Sequence, residues 1–327
     1  MRHPRIKVNV MIEAGLYHCI SRTVNGERLF GDVEKEMLRK MMWQIADFCG
    51  VEILTYIVMS NHFHILVRIP QLAPVDDSEL LRRFGVLHPK PTRYETAKLL
   101  VIQQQLASNG PKAVAWRKRM LALMGDVSQY MKLLKQRFTR WVNATHRRFG
   151  TLWAERFGST VVEPVGHTRQ TMAAYVDLNS VRAGLTEDPV DYRFCGYAEA
   201  VGGAARAQAG LMQVTGCATW LEAQAGYRQL LFGTGADPRE HRGRVTAEQL
   251  AQVIREQGKL PLQVLLRCRV RYFTEGAILG TLAFVNSQLP AYRALTGRFR
   301  AEAKPLPEVS GCSDLAVLRN LRGFTID

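Results

Sequence analysis

The apolar positions of the first seventy residues switch between the two periods of regular structure. Gly15 to Arg22 (GLYHCISR) carries the short-period pattern of a strand and runs into the turn-forming Asn25-Gly26 pair. From Asp32, a suitable N-cap, apolar Met37, Leu38, Met41, Met42, Ile45 and Phe48 recur at helical spacing until Gly50. VEILTYIVM and HFHILVRI then form two β-rich runs joined by Ser60-Asn61, which predicts an antiparallel pair. Strand, helix and hairpin in that order predict a two-layer α+β domain.

The rhythm breaks over 71–127. Pro74, Pro89 and Pro91 punctuate a polar opening, and a helical stretch (TRYETAKLLVIQQQL) and a basic cluster around Lys112, Arg117, Lys118 and Arg119 follow, as in an insertion. A long helix is predicted at VSQYMKLLKQRFTRWVNATHRR, with Met131, Leu134, Phe138, Trp141 and Val142 on its apolar face. TLWAERFGSTVVE reads as a short strand, and a helix from about Thr168 to Ala183 stops at Gly184. Beyond Ala200 the texture changes. VGGAARAQAG and GTGADPREHRGR read as linker over 201–245, and helical signals at TAEQLAQVIREQG, LPLQVLLRCRVRYF and GAILGTLAFVNSQL predict a helical C-terminal module over 246–327.

Charge narrows the partners. The net charge of +15 favours polyanions, although by itself it does not separate nucleic acid from an anionic membrane or an acidic protein. No run of about 18 apolar residues suggests a membrane span, and the N-terminus lacks the apolar core of a signal peptide, so a cytoplasmic protein is expected. The six cysteines form no C-x-x-C pair, which speaks for reduced thiols over a zinc site or disulfides.

Candidate chemistry begins at His62-Phe63-His64. Residues i and i+2 of a strand share a face, so both imidazoles project together while Phe63 points to the other side. Such a pair can ligate one metal ion, or be two half-buried strand histidines with hydrogen-bond partners. In AAYVDLNSVRAG, Tyr175, Asn179 and Arg182 fall on one helix face. Asparagine competes for backbone hydrogen bonds in mid-helix, so its place there asks for a reason. Its amide oxygen can complete a metal site beneath a reactive phenol. Equally, Tyr175 can be core and Asn179 a polar packing contact.

Taken in order, LYHCISR, YIVMSNHFHILV, GTLWAERF and YVDLNSVRAGL resemble the HUH single-tyrosine transposases, and within them the REP-associated tyrosine transposases. The resemblance covers about the first 200 residues, with 71–127 matching poorly. It implies a ferredoxin-like antiparallel sheet with helices on one side, with His62, His64 and Asn179 holding a divalent metal and Tyr175 attacking DNA. Ser60 and Ser180 stand where many members carry proline, and neither change removes a reactive group.

The metal would be Mg²⁺ or Mn²⁺, imidazole ligands suiting the latter at least as well. Attack by Tyr175 on single-stranded or hairpin DNA would leave a 5′-phosphotyrosine and a free 3′-hydroxyl, with no need for ATP. Lys132, Lys135, Arg137, Arg140, Arg147, Arg148, Arg156 and Arg182 are candidate phosphate contacts; Trp153 and Phe157 suit stacked bases, although Trp and Phe at strand spacing more often belong to the core. His18 lies on the first strand, where it could approach the site, although a core or edge histidine is the simpler expectation. Two other functions remain compatible with the sequence: a DNA-binding protein of the same fold without cleavage, and a metal-dependent phosphoesterase that uses water. The protein is expected to work as a monomer or dimer, in the cytoplasm at the nucleoid.

Overall fold

The computed structural model describes residues 5–88, 91–232, 276–305 and 315–319. Strand β1 (Gly15–Arg22) leads to helix α1 (Asp32–Cys49), and β2 (Glu52–Val58) and β3 (His62–Ile69) follow as the expected hairpin. Gly50 ends α1 in the left-handed conformation at φ 65, which glycine adopts without a Cβ clash. The 71–127 insertion is helical, as α2 (Asp77–Val86), α3 (Arg93–Ser108) and α4 (Pro111–Leu121). The basic helix is α5 (Val127–Thr145), capped by Asp126, whose carboxylate accepts from the amides of Ser128 and Gln129. Strand β4 (Gly158–Val162) precedes α6 (Gly166–Asp177) and the single turn α7 (Asn179–Arg182).

Among the described strands the sheet order is β2-β3-β1-β4-β5-β7-β6, where β5 (Gly276–Thr281), β6 (Lys304–Pro305) and β7 (Leu315–Arg319) come from the C-terminal part. The pairs are antiparallel except β4 with β5, which is parallel. The C-terminal module contributes helix α11 (Leu282–Thr296), as expected, and also extends the sheet. GAILG, read as the start of that helix, is strand β5. A short apolar run carries no period that separates the two states, and pairing with β4 decides it. The predicted helices at 246–258 and 260–273 lie outside the described residues.

The stretch read as linker needs the larger correction. Its described part forms helices α9 (Ala205–Thr215) and α10 (Trp220–Phe232), preceded by α8 (Gly196–Val201). Small residues serve close packing here. A Cβ on Gly210 would stand 2.6 Å from the carbonyl oxygens of Ile53 and Leu54, so α9 can lie against outer strand β2 only with glycine at that point. Ala207, Leu211 and Val214 are buried with it. The same contact covers a strand edge that would otherwise invite pairing with another chain.

The two faces of the sheet have different cover. On the Phe63 side, rings of Phe30, Phe138 of α5 and Trp153 pack together, and Tyr130 of α5 donates to the Met42 carbonyl of α1. On the opposite side α6 packs against β2 and β3. The sheet therefore carries helices on both faces.

Candidate active site

Alternation along β3 puts His62 and His64 on the α6 side, with ring centroids 5.2 Å apart. The β1 register sets Ile20 opposite His64 and His18 opposite Leu66, so His18 reaches His64 diagonally. His18 Nε2 and His64 Nδ1 are 2.9 Å apart in a buried hydrogen bond, and the two rings lie edge to edge with centroids 5.1 Å apart and planes parallel within 3°. Helix α6 then brings in Tyr175. Its ring lies edge-on to both, 6.1 Å from the centroid of each. Residues predicted from separate stretches thus share one site, and His18 proves to be part of it.

The histidines have defined proton states. Burial holds the His64 imidazolium well below its usual range, and neighbouring His18, His62, Arg182 and Arg22 push the same way, so the ring is neutral at physiological pH. His62 Nδ1 lies 2.6 Å from Asn61 Oδ1. The amide of Asn61 is oriented by its own donation to the Gly26 carbonyl, at 2.9 Å. Its oxygen therefore accepts, and His62 carries a proton on Nδ1.

The helix predicted from about 168 to 183 is interrupted. Leu178 at φ −75, ψ 4 separates α6 from α7. Asn179 donates Nδ2 to the carbonyls of Tyr175 and Val176, at 3.1 Å each. Such back-bonding accounts for the break and leaves the amide oxygen as the atom for an outside partner. Arg182 donates to the Tyr175 carbonyl at 2.6 Å, and its guanidinium carbon stands 4.0 Å from the Tyr175 ring centroid. Below them Asp177 is fully buried. It accepts from Thr55 of β2 (2.7 Å), Tyr227 of α10 (2.5 Å) and the Tyr197 amide (3.3 Å), and burial raises its carboxyl to about 7.

The donor set suits a divalent ion of intermediate softness. A metal ligand must be a neutral imidazole, which His64 is, and His62 already spends its Nδ1 on Asn61, which turns Nε2 to any ion it would hold. Among the described residues no group of three or more His, Cys, Asp or Glu is arranged to hold a metal.

The predicted DNA contacts divide. Lys132, Arg140 and Arg147 are exposed. Lys135 turns inward, donating to the Glu155 carbonyl and lying over the Trp153 ring, and burial lowers its ammonium to about 8. Arg137 donates to the Leu87 carbonyl, and Arg148 stands 3.9 Å from Glu27. Arg156 lines a cleft of about 490 Å³ with Arg5, Lys7 and Ser128. Arg182 belongs to the tyrosine, as above. Trp153 and Phe157 are only 8% and 7% exposed, so the base-stacking expectation for them is replaced by a core role. The exposed aromatic in this region is Phe149, at 96%, between Arg148 and the start of the loop to β4. No helix among the described residues is long and apolar enough to cross a membrane.

Residues 12–78 match the model of the IS200-like transposase family. That segment holds β1, α1, β2 and β3 with His18, His62 and His64, and ends before the helix that carries Tyr175. A solved structure described as a REP-associated tyrosine transposase bound to a REP hairpin is similar over 62% of this chain and 87% of that one, at 15% identity and a TM-score of 0.37. No curated protein matches the chain.

Proposed function

We propose that the protein is a metal-dependent transposase that nicks and rejoins single-stranded or hairpin DNA through a 5′-phosphotyrosine on Tyr175. The observation that carries this reading is the approach of the Tyr175 ring, edge-on, to both buried histidines. A tyrosine used only for packing has no need of two imidazoles beside it. The family match over the β1–β3 segment supports the same reading from the histidine side.

The residues divide the work. His62 and His64, with the Asn179 amide oxygen, would hold Mg²⁺ or Mn²⁺, the imidazoles favouring Mn²⁺. Such an ion, when bound, offsets phosphate charge and steadies the leaving oxygen. A phenol is a weak nucleophile, its ordinary pKa being about 10. Arg182, 4.0 Å over the Tyr175 ring, supplies the positive charge that favours the phenolate. Attack of that oxygen on phosphorus breaks the bond to the 3′-oxygen, which leaves with a proton as the 3′-hydroxyl. The phosphotyrosine keeps the bond energy for rejoining to another 3′-hydroxyl. Exposed Lys132, Arg140 and Arg147 would track the backbone of the bound strand.

The test is incubation of labelled hairpin DNA with the protein and Mn²⁺ or Mg²⁺. A covalent protein–DNA adduct is expected from the wild type and none from Tyr175→Phe, which should still bind the DNA. An undiminished adduct in that variant would remove Tyr175 from the mechanism. Cleavage without an adduct would point instead to water as the nucleophile.

A further inference from the structure

We infer that His18 is a positioning residue for His64, accepting its Nδ1 proton so that Nε2 is the nitrogen presented to the metal. This rests on the reading of His62 and His64 as the metal pair. The His18 Nε2 to His64 Nδ1 contact of 2.9 Å holds a single proton, which sits on one ring or the other. Were it on His18, a neutral His64 would carry its own proton on Nε2 and aim an N–H at the cation. With the proton on His64 Nδ1, its Nε2 carries the lone pair that would meet the metal.

The arrangement parallels the other ligand. Asn61 accepts from His62 just as His18 accepts from His64, so each imidazole has its own orienting acceptor. The two acceptors reach the site differently, Asn61 from the hairpin loop and His18 from the neighbouring strand. The in-plane hydrogen bond, with the rings parallel within 3°, also fixes the plane of the His64 ring. His18 does one thing more. Its ring borders Tyr175 at 6.1 Å and 84°, so the group that orients the ligand also walls the nucleophile.

The substitutions separate positioning from packing. Gln carries an acceptor oxygen to about the place of His18 Nε2, whereas Phe fills the space without one. Mn²⁺ affinity is measured in the absence of DNA by titration calorimetry for wild type, His18→Gln, His18→Phe and His62→Ala, with the visible band of bound Co²⁺ as a second readout. His18→Phe is expected to weaken Mn²⁺ about 10- to 100-fold and shift the Co²⁺ band, with His18→Gln restoring affinity to within about threefold. Unchanged affinity in His18→Phe, beside a loss in His62→Ala, would overturn the role of His18 alone. Unchanged affinity in His62→Ala would overturn the metal reading beneath it. A loss in His18→Gln as deep as in His18→Phe would also overturn positioning, making His18 a ligand. Should the variants not fold, imidazole ¹⁵N spectra of the Mg²⁺-loaded wild type decide the matter. A proton on His64 Nδ1 is expected, and one on His18 Nε2 would overturn the proposal.

Discussion

Strand β3 has two faces that differ in almost every physical respect. Phe63 points into a cluster of Trp153, Phe138 and Phe30, where rings meet at 5.4 to 5.9 Å. One residue to either side, His62 and His64 point at a tyrosine, a third histidine and an arginine. The first face lowers the free energy of the fold by removing apolar surface from water. The second buries polar groups that stabilise it little and are held in place by that first face. A two-residue period lets both occupy one strand, so the rigidity of the aromatic cluster is passed directly to the ligand pair.

The sharpest way to break this comparison is to substitute one residue on each face. Phe63→Ala empties a fully buried position and should cost roughly 3–5 kcal/mol in denaturant unfolding, with adduct formation surviving in whatever fraction stays folded. His62→Ala, at a half-buried strand end, should cost no more than about 1 kcal/mol in the same assay while reducing the adduct to background. A stable, active Phe63→Ala, or an active His62→Ala, would show that the division of labour is misassigned.

A smaller effect tests how the chemical face gets its helix. Asp177 ties α6 to β2 through Thr55 and to α10 through Tyr227. Tyr227→Phe removes the 2.5 Å donor from a buried carboxyl and should lower stability by about 1–3 kcal/mol. Because Tyr175 and Asn179 each stand two residues from Asp177, adduct formation and metal affinity should both fall with it. Loss of stability with unchanged adduct rate per folded molecule would mean that α10 braces the fold without positioning the tyrosine.

How much of this was legible in the chain depended on the range of the determining contact. The β1–α1–β2–β3 order could be read because each element carries its own period and its own stop signals, Asn25-Gly26 and Gly50. The shared face of His62 and His64 followed from the same period. The 201–232 stretch could not be read, since Gly210 looks like flexibility until the Ile53 and Leu54 carbonyls are placed against it. His18 needed the β1–β3 register, a long-range quantity, before its ring could be set on His64. The break at Leu178 was half visible: Asn179 was recognised as out of place in a helix, but the carbonyls it turns to were not. Trp153 and Phe157 were legible as core from their strand spacing, and burial leaves no room for the base-stacking alternative.

The smallest effect concerns Lys135, the one charge laid into the aromatic face. It lies over Trp153 and donates to the Glu155 carbonyl, and burial lowers its ammonium from 10.5 to about 8. Between those two values the unfolded chain binds more protons than the folded one, so stability should rise with pH across that window and flatten above it. Lys135→Met should remove that rise in thermal melts taken from pH 7.5 to 10.5, while leaving the melting temperature near neutrality the same or higher. An inward ammonium also neutralises no phosphate. The salt dependence of hairpin binding should therefore stay unchanged in Lys135→Met, while Lys132→Met should lower the slope if that exposed lysine meets the backbone, by up to about 0.9. A reduced slope for Lys135→Met would place its ammonium on the DNA and shift the boundary between the two faces of the sheet.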